Sequence, residues 1–557
     1  MSNNKIVESS PADAPSATVR KKAVIGTLLG ATIIGGAFAA GVGGSSTDNG
    51  SSAPVIVVKG KPTAAPTPTP TPVATPTPTP TPPSSADSFA VGINVAGSNY
   101  YSPERTFANL AFATGNWRNP AASWSDVTKS KLTAGGTPLI DAALFLNIPQ
   151  TVWAGKATQI RCTWTGSGTI RIDGDTQMAA ANRSVTFTWP GRKGTSLPSL
   201  LLYVNGVNAA DPLANLDCRE PNLKVNGAFD QRIVDDLKPY RVLRYLDWST
   251  ANGNPASATW ATRSLPQRMV QDGTDGIALE HMVDLANAVG SDPWFTVPWN
   301  ADEGYVRAMG KLVHDRLAPG RKAYFELSNE TWNYAFPIGN VVLNEGLARN
   351  LSPDRYSNNL LRYAEKSVWF HKLLTSAFQD NPARLVRVLN LQNGNSSGID
   401  QMMNFRDTKQ WVDAIATAPY FGHSLLRTVD VGVTDLPRLF ASLETMRVET
   451  IARAVTDKAS ATKWGKRYLS YEGGQHIVPP AASADVAMRM QRSPLMHDIY
   501  QRYLSDWKSK IGGTVTLYSA TGGINQYGAW GIREYAGQPV SETPKRRAVL
   551  EAIAANQ

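Results

Sequence analysis

Two cysteines and six histidines in 557 residues exclude a disulfide-stapled miniature domain and a Cys-rich zinc site. His281, His314, His371, His423, His476 and His497 make no H-E-x-x-H pair, so the helix of a metalloprotease is absent. The sequence also lacks a P-loop, a strand-coupled G-x-G-x-x-G and carboxylates at calcium-loop spacing, and no metal or nucleotide cofactor is expected. Charged residues are only 18%, and no Lys/Arg run behind the net charge of +10 is dense enough to read as a nucleic-acid stripe. That pattern describes a solvated basic surface rather than a nucleic-acid partner. Apolar residues, at 42%, are plentiful enough for a large core.

The first 87 residues differ in kind from the rest. A basic segment, 1–22, ends in Arg20, Lys21 and Lys22 and precedes the uncharged stretch 23–44. At about 1.5 Å per residue that stretch can cross a hydrocarbon layer of about 30 Å. It also holds Ala37-Phe38-Ala39, the small-x-small pattern of a signal-peptidase site, so an uncleaved anchor and a cleaved export signal are the two readings. The long polar region before it favours the anchor. In both, the basic flank stays in the cytoplasm and the rest of the chain is outside, membrane-anchored or secreted. Residues 45–87 read as a disordered Pro/Thr-rich linker, with Thr-Pro repeats from Pro62 to Pro83. Proline removes backbone donors and fixes φ, so this stretch is an extended stalk of about 70 Å.

From residue 88 to 557 short β-like runs alternate with helical ones. Ser88 to Ala96, Arg241 to Leu246, Trp294 to Val297, Ala323 to Leu327, Arg384 to Leu391, Ala414 to Ala418, Tyr468 to Tyr471 and Thr514 to Tyr518 read as strands. Phe229 to Lys238, Ile277 to Val289, Val306 to Leu317, Leu360 to Phe378, Leu436 to Thr456 and Ser493 to Lys508 read as helices. Eight strands in such alternation predict an α/β fold, a closed (β/α)8 barrel. Residues 124–222 break the rhythm: runs such as Gln159 to Trp164 and Ser184 to Trp189 alternate with period two, as in a small antiparallel β module inserted after the first strand. Cys162 and Cys218 fall in or beside it, and in an exported protein they either close one disulfide or remain two thiols. Trp164 and Trp189 either bind carbohydrate or fill the module's own core.

In a barrel the chemistry gathers at the C-terminal ends of the strands. The fourth strand leads into Ser328-Asn329-Glu330-Thr331-Trp332, and the seventh into Glu472-Gly473-Gly474. Two carboxylates so placed suit glycosidic cleavage, in which one gives a proton to the departing oxygen and the other attacks or steadies the anomeric carbon. Trp248, Trp260, Trp299, Trp332 and Trp530 fall in loops on the same rim, where stacked rings bind the apolar faces of sugars.

Asn329-Glu330 and Glu472 resemble the retaining glycoside hydrolases of the (β/α)8 clan that contains cellulases, mannanases and related β-glycanases. The resemblance covers residue 88 to the C-terminus, apart from the inserted module. It implies that Glu330 is the acid/base, Glu472 the nucleophile, Asn329 the residue that hydrogen-bonds the sugar 2-hydroxyl, and Arg244 the arginine that keeps the nucleophile ionised. Trp299, Asn300, Trp332, Tyr420 and Trp530 are similar in position to residues that shape the subsite around the scissile bond. Pro419-Tyr420 departs from the common His-x-Tyr pattern, and His423 is the nearest substitute. The function implied is cleavage of a β-linked, cellulose-like polysaccharide by a monomer. A barrel that binds polysaccharide without cutting it is the alternative. Gly394-Asn395-Ser396-Ser397-Gly398 also matches the nucleophile elbow of a serine esterase, with Glu472 and His476 downstream.

Overall fold

Eight short runs, nearly all apolar, pair in parallel and close on themselves. They are β1 (Ala90–Asn94), β2 (Val242–Arg244), β3 (Asp292–Val297), β4 (Ala323–Leu327), β5 (Leu385–Leu391), β6 (Ala414–Thr417), β7 (Arg467–Ser470) and β8 (Thr514–Leu517). Closure is visible in the register, where Gly92 of β1 is opposite both Val242 of β2 and Thr516 of β8. The computed structural model describes residues 88–146, 157–173, 178–189, 200–253, 258–525 and 528–556. The basic segment 1–22, the anchor or signal 23–44 and the linker 45–87 lie outside them. Among the described residues no helix is long and apolar enough to cross a membrane.

β3 and β4 are buried along their whole length, because parallel strands are covered on both faces. Side chains that alternate inward, among them Val242, Trp294, Tyr324, Val388, Ala416 and Leu469, fill the barrel. Gly92 lets β1 fit between β2 and β8, since a Cβ on it would stand 2.7 Å from Thr516 Oγ1 and 3.0 Å from Val242 Cβ.

Helices pack outside: α1 (Gln231–Leu237), α2 (Leu279–Val289), α3 (Glu303–Arg316), α4 (Pro337–Ala348), α5 (Arg355–Ala377), α6 (Ser396–Asn404), α7 (Leu436–Lys463), α8 (Ala484–Arg492), α9 (Pro494–Asp506) and α10 (Pro544–Ala554). Asp302, Asp354 and Asp435 cap α3, α5 and α7 by accepting backbone N–H groups of the first turn. Two departures from the sequence reading have local causes. α7 runs to Lys463 rather than Thr456, because Ala454, Asp457 and Ala461 keep its buried stripe through a polar stretch. α4 went unread because its glycines mask a helix; Gly346 serves close packing, since a Cβ there would lie 2.2 Å from Asn358 O of α5.

Between β1 and α1 two antiparallel sheets face one another. One is ordered Ala214–Arg219, Thr158–Thr165, Ser184–Trp189, Met178–Ala181; the other Ser125–Asp126, Arg118–Asn119, Ala142–Leu146, Leu200–Asn205, Thr169–Asp173. They share a core of Trp117, Leu144, Ile160, Trp164, Ile172, Phe187, Trp189 and Leu202. Trp164 and Trp189 are therefore packing, not sugar contacts. Cys162 and Cys218 stand directly opposite on paired strands and are bonded. Because this bond closes a separation of 56 residues, reduction is expected to cost the sandwich about 4 kcal/mol. Thermal melting with and without dithiothreitol checks it, and an unchanged midpoint would reject the estimate.

Candidate active site

β4 leaves the barrel through a strained turn. Ser328 and Glu330 have φ of 59° and 41°, left-handed values that residues other than glycine seldom adopt. Ser328 N–H donates to Val297 O at 2.6 Å, which pins the kink to β3. Asn329 and Glu330 emerge almost wholly buried. β7 is followed by Tyr471 and Glu472, equally enclosed, and Ser470 Oγ donates to Glu472 O at 2.6 Å.

Arg244, the last residue of β2, joins the two. Its fully buried guanidinium donates to Glu472 Oε1 (2.7 Å), Asn329 Oδ1 (2.7 Å), Asn94 Oδ1 (3.0 Å) and both oxygens of Glu326 (3.1 and 3.3 Å). Burial opposes its charge, yet Glu326 and Glu472 outweigh burial and hold it above the ordinary arginine range. Glu326 is itself anchored by Trp294 Nε1 (2.8 Å) and Asn390 Nδ2 (2.6 Å). Burial raises its carboxyl, with Arg244 pulling the other way.

The two mouth carboxylates have different company. Glu472 accepts from Arg244 and, on Oε2, from Tyr420 OH at 2.9 Å. Tyr420 is set by a short parallel pairing with Gly474. Among the described residues Glu330 accepts from two neutral donors, Tyr471 OH (3.1 Å) and Asn333 Nδ2 (2.9 Å). Burial, then the charge of Glu472, pushes its carboxyl up to about 8, against smaller opposing pulls from Asn333, Tyr471 and Arg244. Near neutral pH Glu330 is therefore an acid holding its proton. A third carboxylate, Asp247, keeps surface open to solvent while Tyr518 OH donates to its Oδ1 at 3.4 Å. Burial and then Glu472 raise it to about 6.

Of the residues expected from sequence, Glu330, Glu472, Asn329, Arg244 and Tyr420 converge. Trp299 does not join them: it is 1% exposed, its Nε1 donates to Glu345 Oε1 (2.9 Å), and Lys366 Nζ sits 4.3 Å over its ring. Helices α4 and α5 supply those partners and turn it into core. Trp248 is likewise sealed, donating to Ala96 O at 2.9 Å, and Trp332 is 8% exposed. Arg263 covers one face of Trp260 at 3.8 Å. The expected rim of five tryptophan platforms reduces to Trp260 and Trp530, which are half-buried. Asn300 is half-buried too, and its Oδ1 finds no partner among the described residues. His423 is exposed; the imidazole against Tyr420 is His476, at 5.1 Å, which also meets Trp530 at 5.4 Å. Asn94, Glu326, Asn333, Tyr471 and Asp247 were missed. A charge inside the buried run Ala323–Leu327 was the one signal that could have exposed Glu326; the others are ordinary polar residues in sequence.

The elbow-like pattern is a helix start. Asn395 caps α6 by accepting from Gly398 N–H at 2.9 Å, and among the described residues no hydrogen bond joins Ser396 to a histidine. Glu472, the acid that such a triad would need, is held by Arg244 and Tyr420 instead.

No family model and no curated protein matches the chain. Among solved structures it is similar to the GH51 arabinofuranosidase from Xanthomonas axonopodis pv. citri, at 12% identity and TM-score 0.34, covering 55% of this chain and 63% of that one. It is also similar to a 4-O-alpha-L-rhamnosyl-beta-D-glucuronidase from Fusarium oxysporum 12S, at 11% and 0.37, covering 58% and 63%. A third is a beta-glucosidase from Thermotoga maritima, at 14% and 0.31, covering 58% and 85%. The chain spans less than two thirds of the first two. Likeness this distant carries no argument about the chemistry, which rests on the geometry above.

Proposed function

We propose that the protein is a retaining glycoside hydrolase acting on a β-linked polysaccharide. One observation carries the proposal: two buried carboxyl groups, from the ends of β4 and β7, share a mouth in opposite settings, Glu330 among neutral donors and Glu472 on a buried guanidinium. In the first step Glu472 attacks the anomeric carbon while Glu330 passes its proton to the leaving oxygen. In the second, Glu330 takes a proton from water, the water oxygen bonds the anomeric carbon, and the bond to Glu472 breaks. Asn329 gives Oδ1 to Arg244 and one N–H to Asn252, and its second N–H is the group to meet a sugar hydroxyl. Tyr420 and Arg244 orient the nucleophile. The disulfide supports an oxidising compartment, in keeping with export past an anchor or signal at 23–44.

Reducing-sugar release from β-glucans, mannan, xylan and bacterial exopolysaccharides tests the reading, with product configuration followed by NMR. Retention is expected. Because the acid works only while protonated, kcat/KM on the cleaved polymer should fall by about tenfold per pH unit above about 8. A profile flat through pH 9 would remove Glu330 from the acid role. Cleavage of none, with one polymer held in a pull-down, would leave a binding protein instead.

A further inference from the structure

The loop after β1 borders the candidate site at Asp247. After β1, Gly97 lies against Asp247, whose Cβ is 3.5 Å from where a Cβ on Gly97 would sit. The next turn, in which Asn99 Oδ1 accepts Tyr101 N–H at 3.2 Å, carries Tyr100 and Tyr101 outward. Tyr101 remains close enough to the cleft that Asp272 and Asp247 add to burial and Tyr100 in raising its phenol. From there rings succeed one another: Tyr101 to Tyr100 edge-on at 5.1 Å, Tyr100 stacked on Phe145 at 5.3 Å, Phe145 to Trp124 at 6.5 Å, and Trp124 to Tyr203 at 6.0 Å. Arg171 lies over Tyr203 at 4.0 Å.

This file is not needed by the sandwich core. Along the paired strands, Leu144 and Leu202 face inward while Phe145 and Tyr203 face out, and the core is filled from the other side. Tyr101, Tyr100 and Trp124 are 55%, 42% and 40% exposed. Trp124 is held over the sheet by two consecutive left-handed residues, Ser123 at 54° and Trp124 at 62°, neither of them glycine. Strain kept in order to present an indole to solvent points to a ligand. The pairs Arg118–Asp126 and Arg171–Asp173 border the rings with donors and acceptors. Aromatic faces flanked by such groups match sugar rings, whose C–H faces stack while their hydroxyls hydrogen-bond.

We infer that the file from Tyr101 to Tyr203 is a second polysaccharide-binding surface, which holds the stretch of a β-linked glycan chain running out of the catalytic mouth. The class of ligand rests on the glycosidase reading. The full chain carrying Glu472→Gln, to prevent cleavage, is run in native gels containing soluble β-glucan, galactomannan or xylan, alone and with Trp124→Ala or Tyr101→Ala. At least one polymer should retard it, and each added substitution should weaken that retention by about tenfold. With Glu472 intact, the same substitutions should lower the ratio of kcat/KM on long chains to that on a disaccharide glycoside by a similar factor. Tyr101→Ala, at the most exposed ring, keeps the test valid if Trp124→Ala disturbs its turn. Hydrolysis that proceeds with retention and chain-length ratio unmoved overturns the surface and spares the reaction. Retention lost with these rings in a chain that hydrolyses nothing upholds the surface and sinks the reaction. No retention by any of the three polymers overturns the surface.

Discussion

Glu472→Ala should lower turnover of the cleaved polysaccharide by about 10⁴-fold, and Glu330→Gln by about 10²–10⁴-fold. The two losses should differ in kind. Without Glu472 no covalent intermediate forms, and a small anion such as azide, admitted to the space vacated, should restore turnover and release a product of inverted configuration. Without Glu330 the acid is gone, so the fall in activity above about pH 8 should disappear, and substrates whose leaving groups depart unaided should be spared most. Glu330→Gln keeps shape and can still engage Tyr471 and Asn333, so its melting temperature should hold or rise at neutral pH. The sign follows from burial. A carboxyl whose folded pKa is raised to about 8 from 4.5 makes the folded state the better proton binder. Stability therefore falls as pH climbs through that window, and glutamine removes the slope. If both variants kept wild-type turnover with the polymer, the two-carboxylate mechanism would be wrong.

Arg244→Leu should be the most damaging change to the fold. It strands Glu326 and Glu472, both buried, and leaves Asn94 Oδ1 and Asn329 Oδ1 without their donor. Removing one partner from such a network costs about 3–5 kcal/mol, because the remaining charge stays desolvated. The deficit should be smaller at low pH, where Glu326, already raised by burial, takes up a proton. Arg244→Lys should lose less stability and nearly as much activity, since an ammonium cannot span Glu326, Asn94, Asn329 and Glu472 together as the forked guanidinium does. Combining Arg244→Leu with Glu326→Gln should recover part of the stability and none of the turnover, because Glu472 still lacks its positive partner. Urea unfolding at pH 5 and pH 7.5 reads all three. Equal stability of Arg244→Leu and wild type at pH 7.5 would show that the network holds nothing together.

The barrel was legible because its strands are buried on both faces. Runs such as Ala323–Leu327 and Ala414–Thr417 are nearly uninterrupted apolar residues, and eight of them at helical intervals admit few other folds. Glu330 and Glu472 were legible because each stands where such a run gives way to polar residues. The tryptophans misled for a related reason: a loop position at a strand end says nothing about what later helices lay over it. Trp299 is closed by Lys366 and Glu345, many residues downstream. The aromatic file was invisible, since Tyr100, Trp124, Phe145 and Tyr203 come from four separate segments and none forms a motif.

Composition and periodicity alone determined an α/β barrel with a β-rich insertion and two acidic residues at strand ends, because burial leaves its mark residue by residue along the chain. Only the tertiary structure decided which groups share one low-dielectric space. Arg244 meets Glu472 across 228 residues and Tyr471 meets Glu330 across 141. Burial and the charge placed beside a carboxyl set its proton affinity, and neither exists until the strands close.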